Sequence, residues 1–395
     1  MNTQLYADLV QAIDIARVSE HLKAMIAIKS ENPFHEDPRP GYREQEMGEY
    51  YAEQMHQLGL DVTTKDVRPS RPNVFGRRQG TAGQTTLMLE GHLDTARTDG
   101  YPDAYEVKEE GGKIFGRGAC DMKAGLAAYL EVVRLLKEAD IRLKGALILT
   151  GVMDEEFQMI GAKDVGMHGP KADWGIVGEP CDLTICPASK GRVSTYINTF
   201  GKAAHSSVPE CGENAIIRMG RVIHAFADYN DELLHRQPHP LLGHGRFNLG
   251  VIQGGVQVNM VPDSCGLEVD RRTLPGESQD SVYQELRQRL NPLQADDPAF
   301  RYEITDPTWL VPANDVSPSA PIVQSLLAAY AQVLSRPTEV AGFVAASDAP
   351  HFGFPTVICG PGAIAQAHTV CEFVAVEQLV QAVQMYLWVV LDLLA

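Results

Sequence analysis

Four short apolar runs constrain this chain more than any other feature of it: "NVFGRR", "TTLMLEGHLDT", "GALILTGVMDEE" and "WGIVGEP". Each has the length of a β-strand. Between the second and third lies "KAGLAAYLEVVRLLKEA", a strong helical pattern ended by charge. Apolar runs separated by helical patterns suit strands buried on both faces, and so a parallel-rich sheet with helices packed on either side. Acidic residues and an imidazole sit just after the runs, where open α/β sheets place their ligands.

The chain has 395 residues, 44% of them apolar. That is long for one ordinary domain and comfortable for two of roughly 100–200 residues each. A helical segment opens the chain to about Ile28, a Pro-rich charged loop covers Lys29–Glu44, and "EQEMGEYYAEQMHQLGL" repeats apolar residues at helical spacing. From about Lys190 the texture changes. "RVSTYINTFG" alternates like a half-exposed strand, "NAIIRMGRVIHAFADYNDELL" reads as one helix, and "FNLGVIQGGVQVNMVPDSCGLEVDRRTLP" as strand, glycine turn and strand. "SVYQELRQRLNPL" is a further helix. This β-α-β-β-α-β order predicts a compact α+β sandwich at residues 190–304, inserted into a domain made of 1–189 and 305–395. The returning part carries the helix "APIVQSLLAAYAQVL", the buried strand "PTVICG" and a final helix from Val376.

Charge narrows the function classes. With 34 basic and 51 acidic residues the net charge is −17, the wrong sign for a surface that binds nucleic acid. No stretch approaches the roughly 18 uninterrupted apolar residues of a membrane span. The first residues read as an amphipathic helix containing acids, not as a basic-then-apolar export signal. Seven cysteines without a CxxC argue against a disulfide framework and for a reducing, cytoplasmic setting.

The residues after the apolar runs carry the chemistry. His92 and Asp94 in "EGHLDT" are two apart, so on extended backbone they share one side. A neutral imidazole is a common zinc ligand, and a carboxylate beside it is the usual orienting partner. Asp121, in "GRGACDMKAG", stands at the start of a helix, a place that suits a capping residue and a bridging metal ligand alike. Cys120 beside it has no His near it in sequence and reads as a small buried thiol. Asp154, Glu155 and Glu156 directly follow a core strand, where three adjacent carboxylates repel one another unless something cationic compensates. Adjacent side chains diverge there, so one Glu can hold a metal while the other faces a water as general base. Glu179 ends the run "IVGEP", and His368 follows a Gly-Pro-Gly turn. Two imidazoles and three carboxylates at the ends of separate elements suit two divalent ions sharing one Asp better than a thiolate site.

These motifs, taken in order, resemble a known family. "GHLDT", "GRGACDMKAG", "DEE", "GEP", "KG", "GKAAHSSVP", "GENAI", "GGVQVNMVP", "DRR", "SDAP" and "GPG…AHT" match the co-catalytic zinc amidohydrolases and peptidases. That family includes acetylornithine deacetylase, succinyl-diaminopimelate desuccinylase, aminoacylase and glutamate carboxypeptidase. The match runs from "SENPF" near Ser30 to "HTVCEF", nearly the whole chain.

The resemblance implies a zinc-exopeptidase-like catalytic domain, with a mixed central sheet flanked by helices, and an inserted dimerisation or lid domain. It implies two divalent ions per subunit, zinc first and cobalt or manganese as alternatives. His92 and Glu179 would hold one, Glu156 and His368 the other, and Asp121 would bridge them. Asp94 would orient His92, and Glu155 would be the general base. His205 would supply a hydrogen bond to the tetrahedral intermediate, Asn259 and Arg271 would grip a substrate carboxylate, and Lys190 would sit near the hinge. His351 in "SDAPHF" matches no ligand position and reads as a packed or rim residue. The implied peptide bond after Asp121 is cis. A homodimer acting on an N-acyl amino acid or a short peptide-like amide follows, with a dipeptidase or glutamate-carboxypeptidase activity as the alternative. Glu rather than Asp at 179 favours N-acyl amino acids or carboxypeptidase-type amides. "RTDGYPDAYEV" stands where many deacylases carry Trp and "DPF", so the acyl pocket differs.

Overall fold

The computed structural model describes residues 3–34, 44–83, 85–334, 336–337 and 340–395. Most of the expected loop after Lys29 falls on residues 35–43, outside the described residues. The chain divides into two compact units, one of residues 1–188, 315–343 and 347–395, the other of 189–314 and 344–346.

The first unit is built on a mixed sheet. Its strands lie in the spatial order Asp61–Arg68, Arg71–Arg78, Ala146–Val152, Thr86–His92, Trp174–Pro180, Thr356–Gly360 and Ile185–Ser189. The four from Ala146–Val152 to Thr356–Gly360 are mutually parallel, and the pairings outside them are antiparallel. Every residue of Ala146–Val152 is buried, as is all of Thr86–His92 after its first residue, which explains their unbroken apolar sequence. Asp61–Arg68 is the reverse: an edge strand, mostly exposed, with no apolar pattern to announce it.

The helix Lys123–Glu138 is buried from Lys123 through Leu136. Tyr129 packs on Tyr386 of the C-terminal helix Val376–Leu394, ring centroids 4.8 Å apart. A Cβ on Gly125 would lie 3.0 Å from the Gly178 carbonyl oxygen, so this helix start rests directly on the strand Trp174–Pro180. The single N-terminal helix expected from the sequence is two, Thr3–Gln11 and Ile15–Ala27. Asp14 leaves helical geometry between them, and its carboxylate accepts the Arg17 N–H at 3.0 Å, starting a second helix.

In the second unit an antiparallel sheet runs Arg246–Gly254, Ser264–Thr273, Gly191–Phe200, Arg301–Ile304, with Trp309–Val311 also pairing Gly191–Phe200. Helices Ala215–Ala225 and Gln279–Asp296 cover one face. Val193, Ile197, Leu267 and Val269 from the strands meet Met219, Val222, Leu286 and Leu290 from the helices. The β-α-β-β-α-β order is the expected one. Its boundary is not: the unit continues to Asn314 rather than ending at 304, because Trp309–Val311 adds to the sheet. The helix read from Asn214 also breaks, giving Ala215–Ala225 and Tyr229–Leu234.

Leu149 is fully buried in a central parallel strand. Leu149→Ala should therefore destabilise the first unit by about 2–5 kcal/mol, measured from the shift in its denaturant unfolding midpoint.

Candidate metal centre

Neighbouring parallel strands deliver the potential ligands at one edge of the sheet. His92 closes Thr86–His92, Glu179 stands near the end of Trp174–Pro180, and Glu156 follows Ala146–Val152. Asp121 enters from the turn before the helix Lys123–Glu138, and the Asp121–Met122 peptide bond is cis. His368 comes from the loop after Ile364–Gln366.

The ligand atoms form two groups, His92–Asp121–Glu179 and Asp121–Glu156–His368, each with its atoms within 4.8 Å of one another. Asp121 belongs to both. Its Oδ1 is 3.1 Å from His92 Nε2, and its Oδ2 is 3.3 Å from His368 Nε2. His92 Nε2 stands 3.8 Å from Glu179 Oε1, and His368 Nε2 stands 3.0 Å from Glu156 Oε2.

Burial pushes the Glu155 and Glu179 carboxyls well above the usual range and raises Glu156 as well. Asp121 is held low: hydrogen bonds from His368 and His92 overcome the upward push of burial. The His368 imidazole is raised to about 10 by its hydrogen bonds to Asp121 and Glu156. Glu156 Oε1 and Glu179 Oε1 are buried without any hydrogen-bond partner. Unpartnered buried carboxylate oxygens among imidazoles fit a pair of divalent cations, which would supply the positive charge these acids lack.

Asp94 meets His92 through its main-chain carbonyl, 2.8 Å from Nδ1, while its carboxylate oxygen stands 3.6 Å from the same nitrogen. That carboxylate is occupied elsewhere. It accepts the Glu155 and Glu156 N–H groups at 3.1 Å each and the Asn32 amide at 2.7 Å, so it sets the backbone on which both glutamates stand. Glu155 brings its Oε2 to 4.0 Å from His92 Nε2.

Of the three adjacent acids Asp154 is answered by Arg71, which nothing in the sequence pattern singles out. Asp154, at a φ of 71°, turns away from the ligands, and its Oδ1 accepts from Arg71 Nη2 at 2.9 Å and Asn32 at 3.1 Å. Arg71 also pairs with Glu44, whose Oε1 accepts the Asp154 N–H at 3.1 Å. Burial, with Asp94 nearby, lifts Glu44 to about 8 in spite of Arg71. A second unforeseen carboxylate, Glu372, lies four residues after His368. It accepts the N–H groups of Gly118, Cys120 and Asp121 at 3.0–3.1 Å and pairs with Arg117 at 2.7 Å, fixing the loop that carries Asp121. Cys120 is fully buried. His351 is half-buried, belongs to neither ligand group and is lowered to about 4 by burial and the nearby Lys163.

The four residues expected to touch substrate lie in the second unit. His205 is exposed, with Nδ1 2.7 Å from Ser207 Oγ. Asn259 is exposed, its carbonyl accepting the Ser206 N–H at 3.0 Å. Lys190 donates to the His244 carbonyl at 2.6 Å. Arg271 departs from expectation. It is 1% exposed, on the helix-covered face, with its guanidinium committed to Glu277 and the Arg272 carbonyl. Arg272 faces the open side of the sheet, because a step of one residue along a strand reverses the face.

Arg71→Ala strands Asp154 and Glu44 as uncompensated buried acids. It should cost about 3–5 kcal/mol of stability and lower metal occupancy, read by denaturant titration and elemental analysis.

Residues 88–392 match the family model for peptidase family M20/M25/M40. An N-formyl-4-amino-5-aminomethyl-2-methylpyrimidine deformylase from Bacillus subtilis is 29% identical, the alignment covering 95% of each chain. An acetylornithine deacetylase from Vibrio vulnificus is 32% identical over 81% of this chain and 84% of its own. Among solved structures, a tripeptidase from Staphylococcus aureus superposes with a TM-score of 0.77 over 96% of this chain and 98% of its own, at 23% identity, so the fold is shared. The chain is a member of peptidase family M20/M25/M40.

Proposed function

We propose that the chain is a dinuclear metal amidohydrolase that cleaves the amide bond of an N-acyl amino acid or a similar small carboxylate-bearing amide. The observation that carries this reading is Asp121, shared between two ligand groups with the Glu155 carboxylate beside them. His92 and Glu179 would hold one ion, Glu156 and His368 the other, with zinc the first choice and cobalt or manganese suited to the same donors. When bound, such a pair of ions polarises the amide carbonyl and makes a water acidic. Glu155 takes the proton from that water and later delivers it to the leaving amine. Asp94 keeps Glu155 and Glu156 in place by accepting both their N–H groups. Arg272, in place of Arg271, takes the substrate's carboxylate, and Lys190 lies at the start of the same sheet. Asn259, whose carbonyl holds the Ser206 N–H beside His205, belongs to the segment that carries His205.

The relatives named for removing acetyl and formyl groups favour a deacylase. The tripeptidase-like fold keeps a dipeptidase or carboxypeptidase as the second reading. Products separate the two: a free acyl acid with one amine, against two amino acids. A panel of N-acetyl, N-formyl, N-succinyl, N-carbamoyl and N-aroyl amino acids tests this with metal-loaded protein.

A homodimer in the cytoplasm completes the reading. The outer edge of Arg246–Gly254 is unpaired among the described residues, and Val251 and Ile252 on it are exposed, with Ile217, Val256 and Val258 nearby in sequence or on the adjoining helix. A bare apolar edge strand invites pairing with a second copy. No helix of the described residues is long and apolar enough to cross a membrane. In such a dimer His205 serves the partner's centre by stabilising the developing oxyanion.

Glu155→Gln should keep both metals yet lower kcat by at least about a hundredfold, whereas Glu156→Gln should lose metal from one site. Elemental analysis with the reverse pattern would exchange their roles. His205→Ala should also be nearly inactive with metals intact, by about a hundred- to a thousandfold in kcat. Mixing it with Glu155→Gln under subunit exchange should restore activity, because a hybrid dimer holds one site with both groups. No recovery in hybrids confirmed by mass would place His205 within its own chain's chemistry or outside it.

A further inference from the structure

On the open face of the second unit's sheet, Arg246, Arg272 and Arg192 stand directly opposite one another on three adjacent strands. Like charges so paired destabilise a sheet. Among the described residues only one carboxylate answers them: Asp270, in the next row of the same face, accepts Arg192 Nε at 2.6 Å and Arg272 Nε at 2.8 Å. Among the described residues no acid lies within ion-pair distance of Arg246, whose guanidinium reaches the Gly245 carbonyl at 3.1 Å. Lys190, just before the strand Gly191–Phe200, has only a carbonyl partner. Burial and then Arg246, Arg272 and Arg271 depress its ammonium, with no acid countering them. Arg192 is held in place by stacking on Trp309, 4.0 Å from its ring centre. Of the further acids on this face, Glu268 is engaged by Tyr196 and Thr308, and Glu303 lies towards the other end of the sheet, opposite Asn198.

Four cations facing one carboxylate, in a chain of net charge −17, form a built anion site rather than a solvated charge run. We infer that this cationic row binds a dicarboxylate, with Arg272 taking one carboxylate and Arg246, Arg192 and Lys190 the other. The inference rests on the amidohydrolase reading for one point only: that the dicarboxylate is the amino-acid half of the substrate, so that the preferred substrate is an N-acylated acidic amino acid. A monocarboxylate would leave most of the row unneutralised. The planar, forked arginines suit two carboxylates better than a single one.

The test has two arms. In the first, calorimetry at fixed ionic strength compares glutarate with butyrate on the whole protein. Glutarate should bind at least about tenfold more tightly, and Arg246→Gln or Arg192→Gln should remove most of that margin. In the second, metal-loaded enzyme is given N-acetylglutamate and its neutral isostere N-acetylglutamine. The acidic substrate should lead by about tenfold or more in kcat/KM, through KM, and either variant should shrink that lead. Two variants on different strands guard against one that fails to fold. Equal binding of glutarate and butyrate overturns the site, and so does a margin that both variants leave untouched. Tight glutarate binding with equal treatment of the two amides overturns the substrate assignment. If no amide is cleaved at all, the amidohydrolase reading falls while the glutarate arm still decides the site.

Discussion

Beside the carboxyl ends of adjacent parallel strands, the side chains of Glu155, Glu156, Glu179 and Asp121 are gathered with little access to water, and charges of one sign so placed repel. Much of the surrounding structure answers that repulsion. His92 and His368 hydrogen-bond the two oxygens of Asp121. Arg71 crosses from the strand Arg71–Arg78 to neutralise Asp154 and Glu44, and Arg117 does the same for Glu372. One buried oxygen each of Glu156 and Glu179, the Oε1 of both, still has no hydrogen-bond partner, and those are the positions a metal pair would complete.

The carboxylates also do mechanical work. Asp94 and Glu372 each accept several backbone N–H groups, one under the Glu155–Glu156 turn and the other under the Asp121 loop. Backbone donors cannot leave as side chains can, so both loops are held by the chain's own hydrogen bonds. Metal sites gain affinity when their ligands are held in this way by a surrounding shell of hydrogen bonds. Asn32 links Asp94 to Asp154, and therefore joins the ligand-bearing turn to the Arg71 pair.

The central strands, and the five residues that the fold gathers into two candidate ligand groups, were legible in the sequence, because the strands are short apolar runs and the five residues lie in compact motifs. Partners that act across the fold were not. Arg71 and Asp154 are 83 residues apart, Glu372 and Asp121 251 apart, and a single charged residue in an unremarkable stretch has no period that could betray it. Glu372 alone left a trace, since it lies in the motif that ends the metal site. The edge strand Asp61–Arg68 was hidden for the opposite reason, being exposed and polar throughout most of its length. Arg271 shows a different failure. A motif matched by residue type ignores strand parity, yet the alternation of Val269, Arg271 and Thr273 inward with Asp270 and Arg272 outward was already written in the sequence.

That parity has an electrostatic consequence. A chain of net charge −17 repels anions at long range, so recognition of an acidic ligand depends on where its few cations are concentrated. Strand alternation puts Arg271 into the core, where Glu277 neutralises it, and puts Arg272 into register with Arg192 and Arg246. Had the arginines fallen one residue out of step, each would have needed a buried acid, as Arg271 does. On the open face Arg192 and Arg272 share one, Asp270, Arg246 has none within ion-pair distance among the described residues, and the remaining charge is free to meet an anion from solution. The acid surplus that would hold metal in one unit and the cation surplus in the other are thus both local departures from neutrality. Each is tolerable in the folded chain because a ligand of opposite sign is part of the working state.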